Sequence, residues 1–297
     1  MSAIVAEELG KRYGRRWALR NCTLEIPDGS VVGLVGANGA GKSTFLHLTV
    51  GLLEPTAGSL AVLGGRPGAN AAQLAKVGFV AQDAPVYDWL SVADHLRLGS
   101  HMNPGWDTAM ASERIDRLGL DLAQRAGKLS GGQRSQLALT LAIGKRPDLL
   151  VLDEPVASLD PLARRTFLAD VMELVADQKP TIILSSHLLS DIERVCDHLI
   201  VMAEGRVQLA GPVEELLCGH KLLTGPRRDM RTMPSGQAVV RASHTDRQTT
   251  VLVRTAEPIL DPAWVVADVG LEDLVLAYMA ASTAPTPQQA PLAAVRS

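Results

Sequence analysis

The residues of this chain best placed to do chemistry are Gly36-Ala37-Asn38-Gly39-Ala40-Gly41-Lys42-Ser43-Thr44. Glycines at this spacing let the backbone turn through conformations that a β-carbon forbids. Successive N–H groups can then wrap an anion. Lys42 is suited to reach the β- and γ-phosphates of a nucleotide, and the Ser43 hydroxyl to bind Mg²⁺. A turn that merely connects two elements is the competing reading, and the context disfavours it. An apolar, β-branched run at 30–35 precedes the loop, and Phe45, Leu46, Leu48 and Thr49 recur at helical spacing after it. A strand, a glycine-rich loop and a helix N-terminus in that order make a nucleotide site.

Four polar positions stand where such a site needs them. Leu149-Leu150-Val151-Leu152 is a continuous apolar run ending in Asp153 and Glu154, as expected of a parallel strand buried on both faces. Asp153 suits a direct or outer Mg²⁺ ligand, and Glu154 a base or orienting group for an attacking water. A solvated loop pair is the bland alternative, and so apolar a strand argues against it. Gln82 follows a strand at 77–81, and His187 follows another at 181–185. Ligands of open α/β sheets gather at the carboxyl ends of strands, although a single His is more often structural.

Two further features stay open. Leu129-Ser130-Gly131-Gly132-Gln133 opens a helix, either as a second anion-binding N-terminus or as an ordinary capped start. Tyr13 is a lone aromatic upstream of the loop, fit either for a core or edge position or for stacking on an adenine ring.

These positions need a scaffold. A chain of 297 residues, 46% hydrophobic and 21% charged, allows one large domain or one domain with an appendage. A net charge of −3 lends no support to a nucleic-acid surface. Cys22, Cys196 and Cys218 form no metal-ligand pair and read as free thiols in a reducing compartment. Residues 1–8 lack a basic segment followed by an apolar one, and no window approaches about 18 uninterrupted apolar residues. A soluble, cytoplasmic protein without a leader is therefore expected. Strands are expected at 4–9, 21–26 and 60–63, with Lys11-Arg12-Tyr13-Gly14 between the first two. A hairpin is expected around Glu204-Gly205, with a short helix at 213–217. The stretch from 83 to about 147 reads as a helical insertion, with Ser91 and Thr108 as caps. Pro161 opens a long helix reaching about 177. Strands alternating with helices make a mostly parallel sheet with helices on both faces.

Together these residues resemble the nucleotide-binding subunit of an ABC transporter, over about 3–217, and more narrowly the multidrug and antibiotic exporter type. The most specific match is 129–133, which a random chain would contain only a few times in about ten thousand. The resemblance implies that 36–44 is the Walker A loop, 149–153 the Walker B strand, and Glu154 the carboxylate that polarises water. It implies that Gln82 is the Q-loop residue touching Mg²⁺, that Ser158-Leu159-Asp160 is the D-loop, and that His187 meets the γ-phosphate. It makes Tyr13 the adenine-stacking aromatic, and Ser130, Gly131, Gly132 and Gln133 the signature that completes the ATP site of the opposite subunit.

The implied fold is a P-loop NTPase core with a parallel sheet, an N-terminal antiparallel β part and a helical insertion. The implied activity is ATP hydrolysis, with ATP and Mg²⁺, in a head-to-tail pair of ATPase subunits, homodimeric or heterodimeric. The partners are transmembrane permease subunits that hold the protein at the inner face of the membrane. Val86, Tyr87, Trp89 and Leu90, in the loop after Gln82, are expected to meet them. A soluble ABC-type ATPase acting on ribosomes or nucleic acid is the other reading. One phosphate loop, one signature and no sustained heptads argue against it.

The ATP-binding domain is expected over 1–218, with a small α+β accessory region at 219–281 and a disordered tail at 282–297. Residues 219–254 hold seven Lys/Arg against two acidic residues, a solvated face or one suited to an anionic membrane. Strands are expected there at 238–242, 250–254 and 264–269, before a helix carrying Leu271, Leu274, Val275, Tyr278 and Met279.

Overall fold

The computed structural model describes residues 1–157, 159–227 and 237–281. Ser158, the charged residues Arg228, Asp229 and Arg231, and the tail at 282–297 lie outside them. The chain falls into two compact units, Met1–Val213 and Glu214–Ser297.

The first unit opens with a long hairpin of β1 (Ser2–Tyr13) and β2 (Arg16–Pro27). These strands run further than expected, because the turn needs only Gly14 and Arg15. Tyr13 pairs with Arg16 and Arg12 with Trp17. The Arg12 guanidinium stands 5.4 Å from the Trp17 ring, a cation–π contact that extends the ladder. β3 (Val31–Gly36) leads through the glycine-rich loop into α1 (Lys42–Thr49). β4 (Ala57–Val62) then joins β1, giving an antiparallel sheet of order β2-β1-β4.

After α2 (Ala71–Ala75) come β5 (Val77–Val80) and three helices, α3 (Val92–Met102), α4 (Thr108–Arg117) and α5 (Gly131–Gly144). Ser91 caps α3 in a reciprocal capping box with Asp94. Thr108 does not cap α4. Asp107 does, its Oδ1 accepting the Met110 N–H at 3.0 Å, and Thr108 is the first helical residue. A carboxylate one position earlier reaches the same orphan donors.

The remaining elements of the unit are β6 (Leu149–Asp153), α6 (Pro161–Gln178), β7 (Thr181–Ser185), α7 (Leu189–Val195), β8 (His198–Ala203) and β9 (Arg206–Pro212). The second sheet runs β5-β6-β7-β3-β8-β9, parallel except for the terminal β8–β9 hairpin.

The pleat explains the layers. Val32 and Leu34 face a core with Phe45, Leu46 and Leu48 of α1 and with Ile4, Leu9, Leu19 and Ile26 of the hairpin. Gly33, on the opposite face, lies against α7. A β-carbon there would stand 2.4 Å from Ile192 Cγ2, so only glycine admits the helix this closely. β3, β6 and β7 are buried along their whole length, as their unbroken apolar runs require. The helical insertion has its own core of Val92, Ile115, Leu120, Ala126, Leu129 and Leu137. It is tied to α6 by Arg114, which is 2% exposed. Arg114 donates to Thr140 Oγ1 at 3.1 Å, Gln136 Oε1 at 2.6 Å and Asp170 Oδ2 at 2.8 Å.

α8 (Val213–Cys218) follows β9. The second unit then builds a sheet of order β11-β12-β10-β13 from β10 (His220–Pro226), β11 (Gln237–His244), β12 (Gln248–Thr255) and β13 (Val265–Asp268), followed by α9 (Leu271–Ala281). β10 was not expected. Its Leu222-Leu223 pair breaks the alternation, and Gly225-Pro226 reads as a turn, yet both neighbouring strands pair with it. Among the described residues, no helix is long and apolar enough to cross a membrane.

Candidate functional site

The glycine-rich loop hangs from β3, whose N–H and C=O groups are held between β7 and β8. Gly41, at φ 105°, begins α1. A β-carbon there would stand 2.7 Å from the Ala18 carbonyl oxygen, so glycine is what lets the hairpin press against the loop. No side chain caps this helix start. Its first-turn N–H groups are left for an anion. Ala37, Asn38 and Gly39 are exposed and Ala40 is buried, while the Ser43 hydroxyl lies on an exposed residue beside half-buried Thr44.

Lys42 is 6% exposed, and its ammonium folds back on the loop. Nζ donates to the Gly36 carbonyl at 2.8 Å and the Ala37 carbonyl at 3.5 Å. It stands 3.8 Å from Glu154 Oε1. A buried ammonium held by loop carbonyls is one that a polyphosphate can recruit without stripping it of bulk water.

Glu154 follows β6 in the left-handed region, at φ 45°. For a residue with a β-carbon this is strained backbone, and it is held by its surroundings. Its N–H donates to Ser185 Oγ at 2.8 Å, and that hydroxyl donates to Asp153 Oδ1 at 2.7 Å. Asp153 and Ser185 are register partners on neighbouring parallel strands. One hydroxyl therefore fixes both carboxylate positions. Ser185 is absent from the reading of the sequence; the available signal was a small hydroxyl closing a buried apolar strand just before Ser186-His187. His187 is half exposed, with Nδ1 3.3 Å from Glu154 Oε2.

Lys42 and His187 thus meet at the Glu154 carboxylate, and Asp153 is tied to the Glu154 backbone through Ser185. The other expected residues stand apart from this contact set. Gln82 is exposed in the turn after β5. Tyr13 is half exposed at the end of β1, with the Lys11 ammonium 5.6 Å from its ring centroid. Asp160 caps α6, its Oδ1 accepting the Leu162 and Ala163 N–H groups at 2.9 Å. Ser130 caps α5. Its Oγ accepts the Gln133 N–H at 3.2 Å while Gln133 Oε1 accepts the Ser130 N–H at 2.9 Å. Residues 130 and 133 thus form a reciprocal capping box. The hydroxyl's own proton is still available to an acceptor, since only a lone pair is used. Among the described residues, Ser130 has no hydrogen bond to Lys42, Glu154 or His187.

Mg²⁺ fits the donor set. Ser43, Gln82 and Asp153 offer hydroxyl, amide and carboxylate oxygens, the hard ligands this ion takes. The described residues contain no cluster of three His, Cys, Asp or Glu able to hold a metal.

Comparison with known proteins shows the family. The ABC transporter family matches residues 19–157. The chain is 32% identical over 218 residues to the uncharacterized ABC transporter ATP-binding protein YxlF of Bacillus subtilis (strain 168), covering 71% of each. It is 34% identical over 204 residues to the thiamine import ATP-binding protein ThiQ of Shigella flexneri serotype 5b (strain 8401), covering 66% of this chain and 87% of that one. A solved ATP-binding subunit of an ABC transporter superposes with a TM-score of 0.66 at 28% identity, over 72% of this chain and 92% of that chain. The chain therefore belongs to the ATP-binding subunits of ABC transporters, a family whose activity is ATP hydrolysis.

Proposed function

We propose that this chain hydrolyses ATP to energise a separate transmembrane permease that exports drugs or other small molecules, working at the inner face of the membrane. The observation that carries the catalytic part is the meeting of Lys42 and His187 on opposite oxygens of Glu154. The first-turn N–H groups of α1 and the Lys42 ammonium bind the β- and γ-phosphates. Tyr13 stacks on the adenine. Glu154 orients the water and takes its proton as the new bond to the γ-phosphorus forms and the bond to the bridging oxygen of ADP breaks. His187 steadies the γ-phosphate and the carboxylate beside it. Ser43, Asp153 and Gln82 would hold Mg²⁺, which would supply charge neutralisation on the phosphate oxygens.

The unfilled donor of Ser130 and the N-terminus of α5 are best used on a second copy's ATP, with Gly131, Gly132 and Gln133 beside it and Asp160 near the same seam. This explains two anion-binding helix starts in one chain. The unit of turnover is then a head-to-tail pair of cassettes over 1–218, each with a helical subdomain at about 83–147, and 219–281 is accessory.

Permease docking is assigned to the loop after Gln82. Tyr87 and Trp89 are 51% and 68% exposed. The loop is nonetheless braced, since the Tyr87 N–H donates to His95 Nε2 at 3.0 Å. Exposed aromatics on a braced loop favour a protein partner. Export is carried over from the resemblance stated for the sequence motifs, whereas the relative ThiQ is an import protein. The test is fractionation with and without a candidate permease: the ATPase should leave the membrane pellet when that permease is deleted. A protein that stays soluble beside its permease and sediments with ribosomes overturns the reading. ATP added to inside-out vesicles carrying both proteins should drive a hydrophobic fluorescent dye inward; outward movement would mean import.

A further inference from the structure

α6 and α7 carry a buried ion pair that is not closed. Arg164 is on the second turn of α6, four residues after Asp160, and Asp191 lies near the start of α7, four residues after His187. Arg164 Nε and Asp191 Oδ2 are both shut off from solvent, and neither makes a hydrogen bond. They face each other at 3.9 Å, with the two side chains 26% and 6% exposed. A direct charge-assisted hydrogen bond needs about 2.7–2.9 Å, so a relative shift of about 1 Å would satisfy both atoms. Burial lifts the Asp191 carboxyl above its ordinary range against the pull of Arg164, Arg194 and His187, as expected where compensation is incomplete. Left open, both groups carry an uncompensated desolvation penalty, which biases the helices toward the arrangement that closes the gap.

α7 has little freedom of its own, since Ile192 is seated against Gly33 of β3. The shift is therefore assigned to α6, whose N-terminus is capped by Asp160. We propose that Arg164 and Asp191 are positioning residues, which close into a direct hydrogen bond when a second copy engages the Asp160 end of α6 and thereby hold His187 in its place against Glu154. The pair links the seam between copies to the group beside the hydrolytic carboxylate. This inference rests on the roles given above to His187 and Asp160.

The test is steady-state phosphate release by the full chain, reading kcat and KM for ATP, with a thermal melt of every variant. Asp191→Asn should lower kcat about tenfold while KM for ATP stays within about twofold, a coupling inside the usual range for contacting residues. Adding His187→Ala to Asp191→Asn should lower kcat no further than His187→Ala alone. Asp191→Glu, one methylene longer, reaches across the gap and should hold kcat at the parent level or above. Arg164→Gln, at the more exposed end, should reproduce the Asp191→Asn effect, and it carries the test if Asp191→Asn does not fold. Folded variants with the parent kcat overturn the proposal. So do effects of Asp191→Asn and His187→Ala that multiply independently, or an Asp191→Glu variant as slow as Asp191→Asn. If His187→Ala itself leaves kcat unchanged, the site assignment fails and not merely the coupling.

Discussion

His187 Nδ1 lies 3.3 Å from one oxygen of Glu154 while Lys42 Nζ lies 3.8 Å from the other. The carboxylate bridges the phosphate-binding lysine and the histidine that follows β7. Its backbone is anchored separately, through Ser185.

That bridge makes Glu154→Gln informative. The amide keeps the shape and the contact to His187 but cannot take a proton from water. ATP binding should persist while turnover falls by about 10²–10⁴-fold, the usual worth of a positioned base. The ATP-bound pair should accumulate, visible by gel filtration with ATP. A variant that turns over at the parent rate removes the role given to Glu154.

Ser130 separates capping from phosphate recognition. Ser130→Asp keeps an acceptor for the Gln133 N–H and suits the positive end of α5, so stability should stay within about 0.5 kcal/mol by urea unfolding. It also replaces a donor with a negative charge where a partner's phosphate would sit. ATP turnover should fall by about 10²-fold or more. In the parent, specific activity should rise with protein concentration.

Arg114 tests the joint between insertion and core. Arg114→Ala leaves the Asp170 carboxylate, 10% exposed, without its partner and orphans Gln136 Oε1. Breaking such a buried pair costs about 3–5 kcal/mol, readable as a lowered urea midpoint. Arg117→Ala, one residue-turn away in an exposed pair with Glu173, should cost no more than about 1 kcal/mol.

His220 predicts a pH dependence in the second unit. It is 1% exposed, with Nδ1 2.6 Å from the Leu216 carbonyl oxygen and Nε2 2.8 Å from the Tyr278 hydroxyl. Burial lowers its pKa below the ordinary value of 6.5, with Arg254 adding to the effect. The unfolded chain therefore binds a proton more readily than the folded one. Stability is fully present above about pH 6.5 and is lost as pH falls through the window between the unfolded and folded values. Melting followed by near-UV signal from Trp264 should show this slope, and His220→Gln should flatten it.

Much of the site was legible because phosphate chemistry demands backbone conformations and strand termini that leave a mark in residue type. The 36–44 loop, the apolar run into Asp153-Glu154, and His187 after a buried strand are of this kind. Ser185, Arg164 and Asp191 were not legible. Each acts on a residue distant in sequence, through strand register or helix packing, and none of the three has a fixed spacing from the residue it acts on. Thr108 failed as a cap because Asp107 competes with equal propensity one position earlier. β10 was hidden because its pattern is that of a strand buried unevenly on two faces and ending in Gly-Pro.

The loops bearing Glu154, His187 and Lys42 spring from β6, β7 and β3, three strands side by side in one parallel ladder. Their mutual distances are set by backbone bonding at about 4.8 Å per step, which no side-chain substitution rescales. Natural variation in pace or in tolerance of nucleotide analogues has little room to work on that half of the machine. The signature half rides on helices with a separate small core, where a repacked leucine can tilt a whole surface. Diversification of such motors is thus expected to concentrate in the insertion, with the ladder inherited nearly unaltered.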